Sequence, residues 1–294
     1  NTAPAILAGS LLAYEKDEEA ILLAAPSDHV IPNINDFHLA ISMGLKAVKN
    51  GKIITFAIKP THPKLGYGYL ELKKISINGV HELKQFVEKP SEAKAKQMLR
   101  EGNYFWNSGI FLFKAKEMIL AFNDYAPNLL KSVRDSVKMA KFDLDFLRLN
   151  PESWSKCDNI SIDYAIMEKT KNLAAVPFKS KWSDLGDWDT VRKEMKPDKN
   201  GVSLSLNANA IDCKDTLLRS ESKNQEIFGF GLKDIIAVAM PDAVLVAHKK
   251  KSQDVKNVVD ILKKKQIQQA EIFFKDYRPW GWFENILSSD YFKV

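Results

Sequence analysis

Two changes of hydrophobic period within the first 60 residues constrain this chain more than any other feature. "AILLAA" (20–25) is an unbroken apolar run of strand length. From Asp36, "DFHLAISMGLKAVKNG" spaces its apolar residues at helical intervals and stops at Gly51. "KIITFAI" (52–58) then reads as a second strand. A strand, a helix and a strand with short joins predict a largely parallel sheet covered by helices. The pattern continues with "KQFVEKP", closed by Pro90, and with Ser91 capping "EAKAKQMLRE" up to Gly102. "YFWNSGIFLF" (104–113) is a strongly apolar strand interrupted by Asn107, Ser108 and Gly109. Two amphipathic helices, "FKAKEMILAFNDYAP" and "NLLKSVRDSVKMAK", follow it. "SIDYAIMEKT" brings its own cap, Ser161 or Asp163, ahead of an apolar stripe.

After about Lys196 the helical period fades. Five short runs, "ANAIDC", "TLLRSE", "IFGFGL", "IIAVAM" and "AVLVAH", predict a small β domain or β-solenoid. Ser252 is then expected to cap a helix, "QDVKNVVDILKKKQIQQ", before the aromatic stretch "DYRPWGWFENI".

Composition narrows the function. With 294 residues, 45% of them hydrophobic, the chain can bury a full core, and it contains no apolar run long enough to span a membrane. "NTAPAILAGS" has no secretory pattern. Two cysteines, Cys157 and Cys213, fit neither a disulfide framework nor a zinc site and suit the cytoplasm. The net charge of +6 is concentrated in "HKKK" and "KKK" near the late helix. That pattern reads as a solvated face, not a nucleic-acid footprint. An excess of positive charge also suits phosphorylated substrates.

Several polar positions invite either a functional or a purely structural account. Asp28, in "ILLAAPSDHVI", follows what reads as an interior strand. It either caps the next element or faces a hard cation such as Mg2+. "WSDLGDW" gathers Asp184, Asp187 and Asp189, as a solvated acidic turn or as part of a metal site. Glu88 and Lys89 end a strand, as a surface pair or as hydroxyl and phosphate ligands. Asn107 and Ser108 need partners if buried, and Gly109 marks a bulge or a close approach to a ligand. Gly66 and Gly68 in "LGYGYL" form either a lip over a flat ligand or a hairpin. The five histidines show no ligand spacing.

The order of these segments is more specific than any one of them. "NTAPAI", "PSDHVI", "GYGY", "FVEKP", "YFWNSGIFLF", "SIDYAIMEK" and "WSDLGDW", with "IDCKDTLLRSES", "GLKDIIAVAMPDAVLVAHKKKSQDVK" and "YRPWGWFE", run the length of the chain. Together they resemble the bacterial mannose-1-phosphate guanylyltransferases, in the long form fused to a mannose-6-phosphate isomerase domain. The resemblance implies an α/β fold. A Rossmann-like nucleotidyltransferase core with a mixed, mostly parallel sheet would occupy 1–196. A small β-rich, left-handed β-helix-like domain would fill 197–250, and a helix and linker 251–276. A cupin-type isomerase domain would begin over 277–294.

It implies an activity too: GTP and mannose 1-phosphate condense to GDP-mannose and pyrophosphate by in-line attack on the α-phosphorus. Mg2+ would be held by the catalytic carboxylates Asp28 and Asp184. Glu88 and Asn107 would bind mannose hydroxyls, and Lys89 the sugar phosphate. Gly68 would lie against the sugar with Asp163 nearby, and Asn1 and Thr2 would line the guanine pocket. Rival readings are another sugar or base, or a catalytically silent module of the same fold. No nucleic-acid or membrane partner is expected. Apolar solenoid faces and the late helix are compatible with a homodimer.

The chain departs from the family pattern in several places. The family's glycine-rich G-x-G-x-R loop is missing, and the isomerase domain stops after its first residues. The chain is therefore expected to be truncated at both ends and to turn over little by itself. Smaller departures are Ala25 for a usual Leu, Leu65 before "GYGY", and Asp187 for a common Ser.

Overall fold

The structure, a computed structural model, describes residues 1–271, 275–278 and 281–284. It divides into two compact units, Asn1–Asp184 and Leu185–Val294.

The first unit is a three-layer α/β/α arrangement. Its elements are α1 (Thr2–Lys16), β1 (Ile21–Ala24), α2 (Ile34–Lys49), β2 (Ile53–Ile58), β3 (Tyr69–Ile77), β4 (Val80–Val87), α3 (Glu92–Glu101), β5 (Tyr104–Lys114), α4 (Ala115–Tyr125) and α5 (Pro127–Lys138). A small hairpin, β6 (Lys141–Asp143) and β7 (Phe146–Arg148), is followed by α6 (Pro151–Trp154), a π-turn (Asp163–Met167) and β8 (Leu173–Phe178). One face of the sheet packs Ile53, Phe111 and Phe113 against α1, α4, α5 and the π-turn. The other packs Ile54, Phe56, Trp106 and Leu112 against Ala40 and Val48 of α2 and Ala95 and Met98 of α3. β2 reads as apolar but for Thr55 because both of its faces are covered, and all six residues are buried.

The strand order is β1-β5-β2-β8-β4-β3. The sheet is mixed, as expected, but "mostly parallel" needs correction: β2–β8 is the parallel pair, while β1–β5, β2–β5, β3–β4, β3–β5 and β4–β8 are antiparallel. β1 and β2 do run the same way, as the β–α–β reading requires, but β5, which comes later in the chain, inserts between them. That insertion also puts β1 at the sheet edge, with Leu23 exposed. Asp28 therefore follows an edge strand, not an interior one. α1 carried no helical signature because its apolar residues are spread around the axis; tertiary packing buries Ala3, Pro4, Leu7 and Ala8. The β3–β4 hairpin turns at Asn78 and Gly79, both left-handed (φ 52° and 78°), as a two-residue Asn-Gly loop prescribes.

In the second unit, α7 (Trp188–Glu194) precedes six strands: β9 (Ser203–Leu204), β10 (Ala208–Ile211), β11 (Leu217–Ser220), β12 (Ile227–Phe230), β13 (Ile235–Ala239) and β14 (Val244–His248). The five expected strands are present, and the two-residue β9 is an addition. β9, β11 and β13 stack in parallel and so do β10 and β12, the alternation of a β-helix, with Ala208, Leu218 and Ala237 in its interior. β14 closes the larger sheet antiparallel. Ser252 does not cap α8 (Val255–Lys264): it is buried in a 3-10 turn, Lys249–Asp254, that leads into that helix. β15 (Lys275–Arg278) and β16 (Gly281–Glu284) pair antiparallel at the expected entry to the isomerase domain. The rest of that entry, 279–280 and 285–294, lies outside the described residues. No helix among the described residues is long and apolar enough to cross a membrane.

Candidate active site

The polar interruption of β5 is where the fold prepares a site. Between Thr55 and Ala57 of β2 the pairing with β5 jumps from Phe111 to Asn107, so a bulge carries two extra residues. Gly109 takes φ +72° there, a conformation that side chains disfavour. Amide groups freed by the bulge are taken up locally: Gly109 N–H donates to Asn107 Oδ1 (3.3 Å) and Ile110 N–H to Ser108 Oγ (3.2 Å). Thr55, fully buried, donates its hydroxyl to the same Asn107 Oδ1 (2.7 Å). With its oxygen held, the Asn107 amide turns its Nδ2 to Asp163 Oδ1 (3.0 Å). The buried Asn107 and Ser108 are thereby satisfied, whereas Trp106 Nε1 of the same strand is buried without a partner among the described residues.

Asn107 opens onto a cleft of about 590 Å³ in the first unit. Its lining combines Thr2, Ile6 and Gly9 of α1, the end of β1 through Pro26 and His29, and Gly66–Gly68. Glu88, Asn107–Gly109, Ile162, Asp163, Trp182 and Asp184 complete it. Of the residues singled out above, Thr2, Gly68, Glu88, Asn107, Asp163 and Asp184 are brought together. Asn1 is not in the lining; its side chain caps α1 by accepting from Thr2 N–H (2.8 Å). Thr2 is tied to the π-turn region, its hydroxyl accepting from Ile162 N–H (2.9 Å).

Within the cleft, Glu88 packs so closely on Gly68 that a Cβ there would stand 2.5 Å from Glu88 Oε2 and 3.1–3.2 Å from the Phe86 ring. The Glu88 side chain is 7% exposed. Burial pushes its carboxyl up to about 7; neighbouring Asp163 and Glu168 push the same way, while Lys89, 3.3 Å away, opposes them. Burial also raises Asp163. Lys89 itself is exposed and lies outside the lining.

Residues 27–30 are strapped to 182–184 by the Val30–Ser183 bridge (2.8 and 3.1 Å). Asp184 Oδ1 accepts from the Tyr67 hydroxyl (2.6 Å). Tyr67 stands edge-on to both Trp106 and Trp182. Trp182 Nε1 donates to His29 Nδ1 (3.3 Å), and burial lowers the His29 pKa although both Asp28 and Asp184 act to raise it. Both aspartates thus act on one imidazole, but only the half-buried Asp184 lines the cleft; Asp28 is exposed and lies outside the lining. No group of three or more His, Cys, Asp or Glu among the described residues could hold a metal alone. Two carboxylate sources do match what Mg2+ takes from protein when phosphates fill the remaining positions.

Elsewhere the acidic turn splits by role. Asp187 caps α7 (Thr190 N–H, 2.9 Å), and Asp189 pairs with Arg192 (2.9 Å) and Lys193 (2.8 Å). Sequence reasoning missed Tyr67, His29 and Trp182. The aromatic character of "GYGY" was visible, but nothing local relates Tyr67 to a carboxylate 117 positions away.

Residues 1–200 match the family described as nucleotidyl transferase, and residues 207–262 match the "MannoseP isomerase/GMP-like beta-helix domain". The chain belongs to the nucleotidyl transferase family. Within it, the chain is similar to the mannose-1-phosphate guanylyltransferase of Sinorhizobium fredii, 38% identical over all of this chain and 58% of that protein. It is 36% identical to the xanthan biosynthesis protein XanB of Xanthomonas campestris, again over its whole length and 62% of that protein. The chain spans about six tenths of the length of these curated relatives. A solved structure from Thermus thermophilus, described as a mannose-1-phosphate geranyltransferase, superposes with TM-score 0.76 at 26% identity, covering 90% of this chain and 75% of that one. One from Helicobacter pylori, described as a mannose-6-phosphate isomerase, gives 0.57 at 31%, covering 63% and 70%.

Proposed function

We propose that this chain is the nucleotidyl transferase part of a mannose-1-phosphate guanylyltransferase. The full protein condenses GTP with mannose 1-phosphate to GDP-mannose and pyrophosphate in the cytoplasm. The observation that carries this reading is a cleft whose lining brings Gly68, Glu88, Asn107 and Asp163 together with Asp184. Glu88, Asn107 and Asp163 offer the mixed acceptors and donors that a polyol needs, and Gly68 lets the sugar approach the backbone. Lys89, at the rim beside Glu88, receives the sugar phosphate. Thr2 borders the base. Asp28 and Asp184 would hold Mg2+, which supplies charge neutralisation on the nucleotide phosphates. The residues themselves bind and align; in-line phosphoryl chemistry asks little more of a protein than positioning. The names of the relatives support the sugar and base assigned.

The test is pyrophosphate release by the full-length protein, with GTP, ATP, UTP and CTP competing and with mannose, glucose and galactose 1-phosphates as acceptors. Preference for GTP and mannose 1-phosphate is expected. Preference for another pair moves the protein to another nucleotidyltransferase specificity, and no turnover with any pair leaves a silent module of the same fold.

A further inference from the structure

The strand that carries Glu88 ends in an unfavourable turn. Lys89 adopts φ +45°, a left-handed conformation, and is followed by buried Pro90, which restricts the preceding residue toward extended backbone. Strain of this kind persists only where surrounding contacts over-determine it. Two such contacts are present. Lys89 N–H donates to Tyr67 C=O (3.2 Å), and Glu88 N–H donates to the carboxylate of Glu168 (2.9 Å), 80 positions away.

Glu168 stands at the end of the π-turn Asp163–Met167, and its own N–H closes that turn on Asp163 C=O (3.0 Å). An i→i+5 closure stacks residues 163 and 168 one turn apart, where an ordinary helix would splay them; such turns concentrate at functional sites. The same turn and the residue that closes it meet the candidate site residues at three points: Asp163 at the Asn107 amide (3.0 Å), Tyr164 under the Lys89 ammonium (6.0 Å to the ring centre), and Glu168 at the Glu88 amide.

We propose that Glu168 is a positioning residue: from the end of the π-turn its carboxylate clamps the strained Glu88–Lys89 turn, holding the Glu88 side chain and Lys89 ammonium where the sugar phosphate is bound. The inference rests on the functional reading given above for what that turn binds. The clamp itself is a matter of one amide and one acceptor oxygen.

Two substitutions in the full chain separate the roles of Glu168. Glu168→Gln keeps an acceptor oxygen and removes the charge, whereas Glu168→Ala removes both. Hydrogen exchange at the Glu88 amide should stay slow in wild type and Glu168→Gln and accelerate at least about 10-fold in Glu168→Ala, the scale of one lost charge-assisted bond. Titrated with mannose 1-phosphate, Glu168→Ala should bind about 10-fold more weakly, with a raised KM and a smaller change in kcat. Glu168→Gln should lie within about 3-fold of wild type, GTP affinity should be the same in all three, and Tm should fall only in Glu168→Ala. Equal exchange at Glu88 in Glu168→Ala and wild type overturns the clamp, as does equal loss of sugar-phosphate affinity in both variants. If wild type takes up no mannose 1-phosphate, the functional reading fails, and the exchange measurement still decides the clamp.

Discussion

Glu88 should make the folded protein less stable as pH rises through neutrality. Its carboxyl titrates at an ordinary 4.5 in the unfolded chain and at about 7 in the fold, chiefly because it is buried. Between those values the folded state keeps a proton that the unfolded state has lost, so unfolding becomes easier with each increment of pH. Below about 4.5 the contribution is complete, above about 7 it is gone, and the change lies between the two. At about 1.4 kcal/mol per pH unit the gap sets a ceiling of ~3 kcal/mol; solvent reaching the carboxyl from the cleft and the Lys89 ammonium bring the expected loss to ~1–2 kcal/mol. Glu88→Gln fills the same space and cannot ionise. Urea unfolding of both proteins from about pH 5 to about pH 8 should show the wild type losing ~1–2 kcal/mol more than the variant, about 2–8 °C in Tm for a unit of this size. All other titrating groups are shared, so the difference between the two curves reports Glu88 and its neighbours. Curves that run parallel across the window would refute the argument.

Other perturbations probe the rest of the site. Gly68→Ala forces a methyl group to within 2.5 Å of Glu88 Oε2 and against the Phe86 ring; sugar-phosphate affinity should fall at least ~10-fold, and GTP affinity measured by calorimetry much less. Tyr67→Phe keeps the ring stacking and removes the 2.6 Å hydrogen bond to Asp184, so the Mg2+ concentration for half-maximal turnover should rise ~3- to 10-fold while Tm changes little. Thr55→Val withdraws the buried donor that orients Asn107, costing ~1–2 kcal/mol of stability and weakening the sugar phosphate, with Thr55→Ser restoring both. Asp184→Asn should lower Mg2+-dependent turnover of the full-length protein by ~10²-fold or more; retained activity would remove Asp184 from the metal assignment.

How far the sequence could be read depended on the range of the interaction. Most strands and helices from Ile21 to Lys138 were legible because burial on one or two faces leaves a period that composition cannot hide; β3 was not, its second half being exposed. The five solenoid strands were legible for the same reason. α1 was not, since its apolar residues carry no preferred side. The antiparallel entry of β5 between β1 and β2 was invisible, because no local pattern records which strand lies beside which. At the site, Asn107 and Ser108 announced themselves as polar residues in an apolar run, and Gly68 as a glycine between aromatics. Glu168 gave no such signal: one carboxylate on a helical surface reads as solvated until the amide it holds is found in another part of the chain. Asp187, acidic and near Asp184, left both accounts of its turn open; it is employed as a helix cap.

The bulge in β5 has a consequence for chain length. Because it adds two residues and not one, side chains on either side of it keep the same parity: Trp106 and Leu112 share one layer, while Phe105 and Phe111 both point to the other side. A single-residue insertion or deletion at 107–110 would exchange the two faces of half the strand and send Phe111 and Phe113 into the wrong layer. Length variation among natural versions of this loop should therefore come in even steps.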